Sequence, residues 1–364
     1  MASNGTAKET SVREAGIAHA AQRLPSVIVD DYNIELKDGD GFVGDRVSKA
    51  AFREMLETCR AEIRALGADP LGDKDSCDFS KRRLDDVLLA EDTLASGTVF
   101  SAIETFGQEL ARVVRLFLAQ DGWEGTQAIA VGGGFRDSRA GCLAIGRAGY
   151  LLRAAGIDIT LEPIRHHPDE GGLIGAVHLA PAWIFSGYDS LLAVDIGGSN
   201  IRTGVVTTNL RKASDLSRSE VWRSEIWRHR DEEPMPTRDE AVERLIGMLT
   251  DLIRRADRAN LSLAPFIGIG CPGLIEADGT ITRGGQNLPG NWESDGFNLA
   301  ERVAASIPRI GGHTTRVVMH NDAVVQGLSE VPDRKDVTRW GILTIGTGLG
   351  NARFTNRETV QAES

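Results

Sequence analysis

Cysteine, aromatic residues and positive charge are all scarce in this chain. Four cysteines (Cys59, Cys77, Cys142 and Cys271) are spread over 364 residues with no Cys-x-x-Cys pair. A disulfide framework or a cysteine zinc site is therefore not expected, and a reducing cytoplasm is the expected compartment. Lys and Arg total 41 against 52 Asp and Glu, a formal net charge of −11. A nucleic-acid binder held by phosphate contacts needs the opposite balance, so no nucleic-acid partner is expected. No apolar run reaches membrane-spanning length, and the opening MASNGTAKETSVREAG lacks the apolar core of a secretory signal. Neither a membrane partner nor export is expected. What the chain does have is 41 Gly and 41% hydrophobic residues. That suits two ordinary domains of α/β type with many tight turns between strands and helices.

The most informative stretch is Leu191 to Val206, LLAVDIGGSNIRTGVV. It reads as an apolar strand, an acid (Asp195), a Gly197-Gly198 turn and a second strand from Ile201. Two glycines let a backbone approach a ligand closely. Ser199 and Asn200 add small polar groups, and Arg202 adds a cation that can fork onto phosphate oxygens. An ordinary hairpin can carry the same turn, so its meaning depends on the other segments.

Residues 1 to about 24 are polar and read as a loosely docked lead-in. Val27 to Leu36 has strand character and runs into an acidic turn (Asp38, Asp40, Asp45) that is either a cation site or a solvated loop. Apolar spacing predicts helices over 48–66, 83–91 and 97–120. Thr126 to Val131 is a buried type of strand that ends in Gly132-Gly133-Gly134 and precedes a helix near 142–155. That arrangement suits a nucleotide, although the Gly-x-Gly-x-x-Gly fingerprint is absent. Next come a strand over 158–164 and HHPDEGGLIGAVHLA, read as two glycines ahead of a short helix. After Val206 the reading is a strand over 220–228, a helix over 239–259 and a strand over 265–270 ending at Cys271-Pro272-Gly273. The loop GGQNLPGNWE and a helix over 299–306 follow. A strand over 316–319 leads to His320-Asn321-Asp322-Ala323 and a helix. A strand over 340–345 leads to Gly346-Thr347-Gly348-Leu349-Gly350 and one more short strand.

These segments resemble the ROK family (repressor, open reading frame, kinase) of the acetate and sugar kinase, chaperone ATPase and actin superfamily. The family shows Asp-x-Gly-Gly-Thr-x-x-Arg where this chain has Asp195, Gly197, Gly198, Ser199 and Arg202. CPGLIEADG, QNLPGNW and HNDAVVQG are similar to the family's later motifs in the family's order. AIAVGGGF and GGLIGAVHLA resemble its last part, yet they precede the phosphate motif instead of following it.

The resemblance implies two RNase H-like (actin-like ATPase) α/β lobes with a cleft between them, in circularly permuted order. One lobe would comprise 25–185 plus 338–364, and the other 186–337. It implies ATP-dependent phosphorylation of a hexose-type sugar hydroxyl with Asp322 as general base. Asn287, Gly273 and Asn321 would bind the sugar. Asp195, Gly197, Gly198, Ser199, Asn200, Arg202, Gly346, Thr347, Gly348 and Gly350 would hold the phosphates, with Gly132, Gly133 and Gly134 near the adenosine. Asp195 would act on Mg²⁺ through water. A helix N-cap is the plain structural reading of Asp322. Zinc is not expected, because the family's Cys-rich site and its Gly-Glu-x-Gly-His segment are missing. Sugar ligands from that segment must then come from elsewhere, such as residues 31–46. The expected partner is a small sugar, and a homodimer is compatible with this reading. The alternative is a non-catalytic sugar or nucleotide sensor on the same fold. The DNA-binding form of the family is not expected, since no helix-turn-helix pattern precedes residue 25.

Overall fold

The structure is a computed structural model, and it describes residues 17–39, 41–294 and 296–357. Most of the lead-in and Asp40 of the acidic turn lie outside the described residues. In chain order the main elements are β1 (Val27–Tyr32), α1 (Lys49–Arg64), α2 (Lys81–Leu89), α3 (Thr93–Leu118), β2 (Ala128–Gly132), α4 (Arg139–Ala154), β3 (Thr160–Pro163) and α5 (Pro168–Gly175). There follow β4 (Ser190–Ile196), β5 (Ile201–Thr207), β6 (Glu220–Trp227), α6 (Arg238–Arg258), β7 (Leu263–Cys271), α7 (Leu299–Ser306), β8 (Arg316–Asn321), α8 (Asp322–Leu328), β9 (Arg339–Ile345) and β10 (Leu349–Asn356).

The helices begin where side chains can satisfy the free amides of a first turn. Asp92 accepts from the amides of Leu94 and Ala95, so α3 starts a turn earlier than its apolar stripe suggests. Thr237 and Glu240 form a reciprocal capping box at α6. β1 stops at Tyr32 instead of Leu36, because Asn33 has φ +56° and that conformation cannot continue a strand. Gly171 and Gly172 lie inside α5, not ahead of it.

The chain forms two compact units. Within the described residues the first comprises 17–33, 169–338 and 354–357, and the second 34–168 and 339–353. The first unit contains a sheet ordered β8-β7-β4-β5-β6. β4, β5 and β6 run antiparallel in succession, and β7 and β8 add parallel strands on the other side of β4. Leu192, Val194 and Ile196 pack with Leu245, Leu249 and Leu252 of α6. Side chains alternate along a strand, so Ala193 and Asp195 face the opposite way. On that side a Cβ on Gly204 of β5 would lie 2.8 Å from Leu173 of α5, and one on Gly268 of β7 would lie 2.9 Å from the Ala176 carbonyl oxygen. This packing places residues 169–185 with the first unit, not with the segment before them as expected from the motif order.

The other five-stranded sheet is ordered β1-β10-β9-β2-β3. β9 pairs in parallel with β2, from Trp340 opposite Ala128 to Thr344 opposite Gly132, and β2 pairs in parallel with β3. Within the second unit, the buried stripe of α3 (Val99, Ile103, Phe106, Leu110, Val113, Phe117) packs with Ile129, Val131, Leu343 and Ile345. Within the first unit, the early and late chain segments lie side by side. The Arg357 amide donates to the Ser26 carbonyl, and the Thr355 hydroxyl donates to Asp30. Read from β9 as its first strand, this sheet has the order third, second, first, fourth, fifth. The first unit's sheet, read from β4, has the same order.

Candidate active site

In the first unit the ends of β4, β7 and β8 bring three groups together. Asp195 is 7% exposed at the end of β4. Its register partner across β5 is Arg202, so the two side chains share a face. One Arg202 nitrogen, Nη1, donates to Asp195 Oδ2 at 3.2 Å, while Nε and Nη2 reach Asp169 Oδ1 at 2.9 and 2.8 Å. The fork expected on phosphate oxygens is thus engaged by two carboxylates. Asp169, in the first turn of α5, carried no signal of this in its local sequence. Burial pushes the Asp195 carboxyl above its ordinary range, and the Arg202 charge opposes that rise. A Cβ on Gly172 of α5 would sit 2.5 Å from Asp195 Cγ, so the helix closes tightly over this carboxylate.

At the end of β8 the cap reading falls to a different residue. Asn321, not Asp322, is the N-cap of α8. Its Oδ1 accepts from the amides of Ala323 and Val324 at 3.0 and 3.3 Å, and its Nδ2 donates to the Gly273 carbonyl at 2.9 Å. Asn321 therefore ties α8 to the Gly273 turn. Asp322 Oδ1 accepts from the Ala323 amide at 2.9 Å. Its carboxyl is pushed up to about 7, first by burial and then by the Asp195 charge. Cys271, between the two acids at the end of β7, has its thiol raised well above the ordinary range by burial, with both carboxylates adding to the effect. A carboxylate that titrates near neutral pH beside a second acid is a combination found at proton-transfer sites.

The polar loop after Gly284 packs on the same end of the unit. Gly273 has φ +101° and Gly284 φ +89°, and a Cβ on Gly284 would lie 2.7 Å from Gly273 Cα and 3.4 Å from Asn33 Nδ2. Asn33 Nδ2 is buried without a partner. It belongs to the 31–46 segment and lies beside the Gly273–Gly284 contact. The loop closes through the Gly285 amide on Glu293 Oε1 at 2.7 Å and Trp292 Nε1 on the Pro289 carbonyl at 2.6 Å. A Cβ on Gly198 would lie 2.9 Å from Asn287 Cβ. The phosphate-like turn and the expected sugar ligand are therefore in direct register. Under the roles expected of this turn and Asn287, Gly198→Val should weaken sugar and nucleotide binding together, each by about tenfold or more. Separate titrations of the two ligands check this.

In the second unit the two other Gly-rich turns meet. Gly133 has φ +78°, and a Cβ there would overlap the Ile345 carbonyl, directly before Gly346. The Lys49 amide donates to the Gly346 carbonyl at 3.1 Å, and a Cβ on Gly134 would lie 2.8 Å from Lys49 Nζ. Lys49 opens α1, and its distance from either motif in the sequence concealed this juxtaposition. Gly348 has nothing within 4 Å of a would-be Cβ, and Gly350 lies in β10. Under the nucleotide-binding role expected of this turn, Gly348→Val should leave thermal stability unchanged while reducing nucleotide affinity about tenfold or more. Loss of melting temperature without loss of affinity would assign the turn a purely structural role. In the acidic turn, Asp38 accepts from Arg46 and from Arg112 of α3. Among the described residues, no group of three or more His, Cys, Asp or Glu could hold a metal ion, and no helix is long and apolar enough to cross a membrane.

Residues 191–362 match the sequence model of the ROK family. No curated protein matches the chain. Among solved structures, it is similar to a Listeria monocytogenes protein proposed to be an N-acetylmannosamine kinase, at 26% identity over 48% of this chain and 50% of that one, with a TM-score of 0.33. It is similar also to a ROK hexokinase from Thermus thermophilus (21% identity, 37% of this chain and 35% of that one, TM-score 0.25). A third is an exopolyphosphatase from Cytophaga hutchinsonii (16% identity, 46% and 50%, TM-score 0.25). The chain thus spans half or less of the length of these solved proteins.

Proposed function

We propose, from the premise that residues 191–362 carry the ROK-family segment, that the protein transfers the terminal phosphoryl group of ATP to a hydroxyl of a hexose-type sugar. The observation that carries this reading is the pair Asp322 and Asp195, with helix capping delegated to Asn321. Asp322 is then available as the acceptor of the hydroxyl proton, and a carboxyl titrating near 7 is well matched to that task at neutral pH. Asn287 and the Gly273 turn, braced by Asn321, would hold sugar hydroxyls. The Gly197-Gly198 turn with Ser199 and Asn200 would meet phosphate oxygens. Within the second unit, Gly346, Thr347, Gly348 and Gly350, with Gly132 to Gly134, are the proposed nucleotide-binding residues.

A single ionisable oxygen donor such as Asp195 suits Mg²⁺, which keeps several waters and takes its remaining ligands from substrate phosphates. Bound there, the ion would neutralise charge on the transferring phosphoryl group. The chain's own part is to fix the acceptor hydroxyl and take its proton.

The shared strand order of the two sheets supports a circular permutation of two RNase H-like units. In that arrangement β9 and β10 would open the sheet whose later strands, β1, β2 and β3, come first in the chain. A coupled ATP assay over a panel of aldohexoses and amino sugars tests the proposal. Sugar-dependent ADP formation is the expected result. Sugar binding by calorimetry without turnover would replace the kinase by a sensor, and ATP hydrolysis indifferent to every sugar would replace it by a nucleotide hydrolase.

A further inference from the structure

We propose that His229 is a positioning residue for the Gly197–Asn200 turn, holding the Gly197 carbonyl so that the turn offers amides, not carbonyl oxygens, to an anionic ligand. The inference rests on the phosphate-binding reading of that turn and deepens it. His229 lies two residues past the end of β6 and is wholly buried. Its Nε2 lies 3.0 Å from the Gly197 carbonyl oxygen. A carbonyl can only accept, so Nε2 carries the proton and Nδ1 is left with a lone pair. Nδ1 is buried and without a partner. The next residue adds a longer contact, the Arg230 amide to the Ser199 carbonyl at 3.4 Å, and the Gly197 amide closes the turn on the Asn200 carbonyl at 2.8 Å. Two of the turn's carbonyls thus point to donors from residues 229 and 230. Carbonyl oxygens repel phosphate oxygens, whereas a run of amides attracts them, so the direction of these carbonyls decides what the turn can bind.

A packing role alone does not account for the imidazole. A leucine would fill the space beside Trp227, whose ring is 5.8 Å away, without leaving an unpartnered buried nitrogen. The ring is held to one tautomer by its surroundings. A second proton on Nδ1 would be a buried charge with no acceptor, and burial lowers the His229 pKa, with the Gly197 bond opposing that shift. The charged groups acting on it are Arg230, Asp231 and Glu232.

The test uses the full chain. Nitrogen-15 NMR of labelled histidine at pH 7 should show residue 229 neutral with its proton on Nε2. His229→Ala should raise the KM for ATP about tenfold, the scale of one lost hydrogen bond, a clearly larger factor than for the sugar KM, and should lower the melting temperature as truncation of a fully buried ring does. Amide exchange over residues 198–200 should speed up. His229→Gln, whose side-chain amide can donate to the same carbonyl, should recover most of both effects. A proton on Nδ1, an imidazolium at pH 7, equal behaviour of the Ala and Gln variants, or matching rises in both KM values would overturn the proposal. Should His229→Ala fail to fold, the Gln variant set against His229→Asn, one bond shorter, makes the same comparison. If the wild-type chain shows no ATP-dependent transfer, the kinase reading fails separately, and the tautomer and exchange measurements still decide whether His229 sets this turn.

Discussion

Asp322→Asn is expected to lower kcat by about 10²- to 10⁴-fold, the usual contribution of a positioned general base, while leaving the sugar affinity within about twofold. The isosteric amide can still accept from the Ala323 amide through Oδ1, so the local geometry survives and only the proton acceptor is lost. The same substitution should raise thermal stability. The folded-state carboxyl titrates near 7, above its ordinary value of 3.8. A carboxyl raised in the folded state binds more protons folded than unfolded between those two values, so stability falls as pH rises through that window. The charge of Asp322 therefore opposes folding at neutral pH, by an upper bound of about 4 kcal/mol. Partial exposure of the residue makes about 1 to 2 kcal/mol the expected gain for the neutral amide. Loss of turnover with a higher melting temperature is the combined signature. In the wild type, activity should fall as pH drops below about 7, because the base becomes protonated. Near-normal turnover in Asp322→Asn, or a rate flat from pH 5 to 8, would remove Asp322 from the reaction.

The largest stability effect is expected at Gly175. A Cβ there would overlap the Val325 carbonyl oxygen and approach Val325 C at 2.8 Å and the Ser329 amide at 3.2 Å. These are backbone atoms of α8 and its C-terminal end, with no rotamer to yield. Gly175→Ala should cost about 3 kcal/mol or more, lowering the melting temperature by about 6 to 12 °C in a unit of this size. Gly172, three residues earlier on α5, abuts Asp195. One glycine face thus lets α5 lie against both the carboxylate at the end of β4 and the helix that starts at Asp322. Gly247→Ala provides the control. It sits within α6 with nothing within 4 Å of a would-be Cβ, so replacement should stabilise by about 0.5 to 1 kcal/mol through helix propensity. A Gly175→Ala protein melting within about 2 °C of wild type would show that α5 can shift away from α8.

Much of this arrangement follows from local pattern. The apolar stripes of α3 and α6 and the buried strands β2, β4 and β7 stand out because period 3.6 and continuous apolar runs are written into consecutive residues. Asp195, Gly197, Gly198, Asn287, Asn321 and Asp322 were likewise nameable from motifs, each at the end of a strand or in a Gly-pinned loop. Local pattern did not assign the partners. That Asn321 caps α8 and leaves Asp322 to other work depends on which residue's φ and ψ leave the helix, a matter of one position. That Arg202 spends its fork on Asp195 and Asp169 depends on β4–β5 register and on where α5 lands. The roles of His229 at Gly197 and Lys49 at Gly134 and Gly346 depend on contacts between segments far apart in the chain. Tertiary packing decided these because a side chain's hydrogen bonds and pKa are set by what surrounds it in space, and sequence neighbours are only a small part of that surrounding.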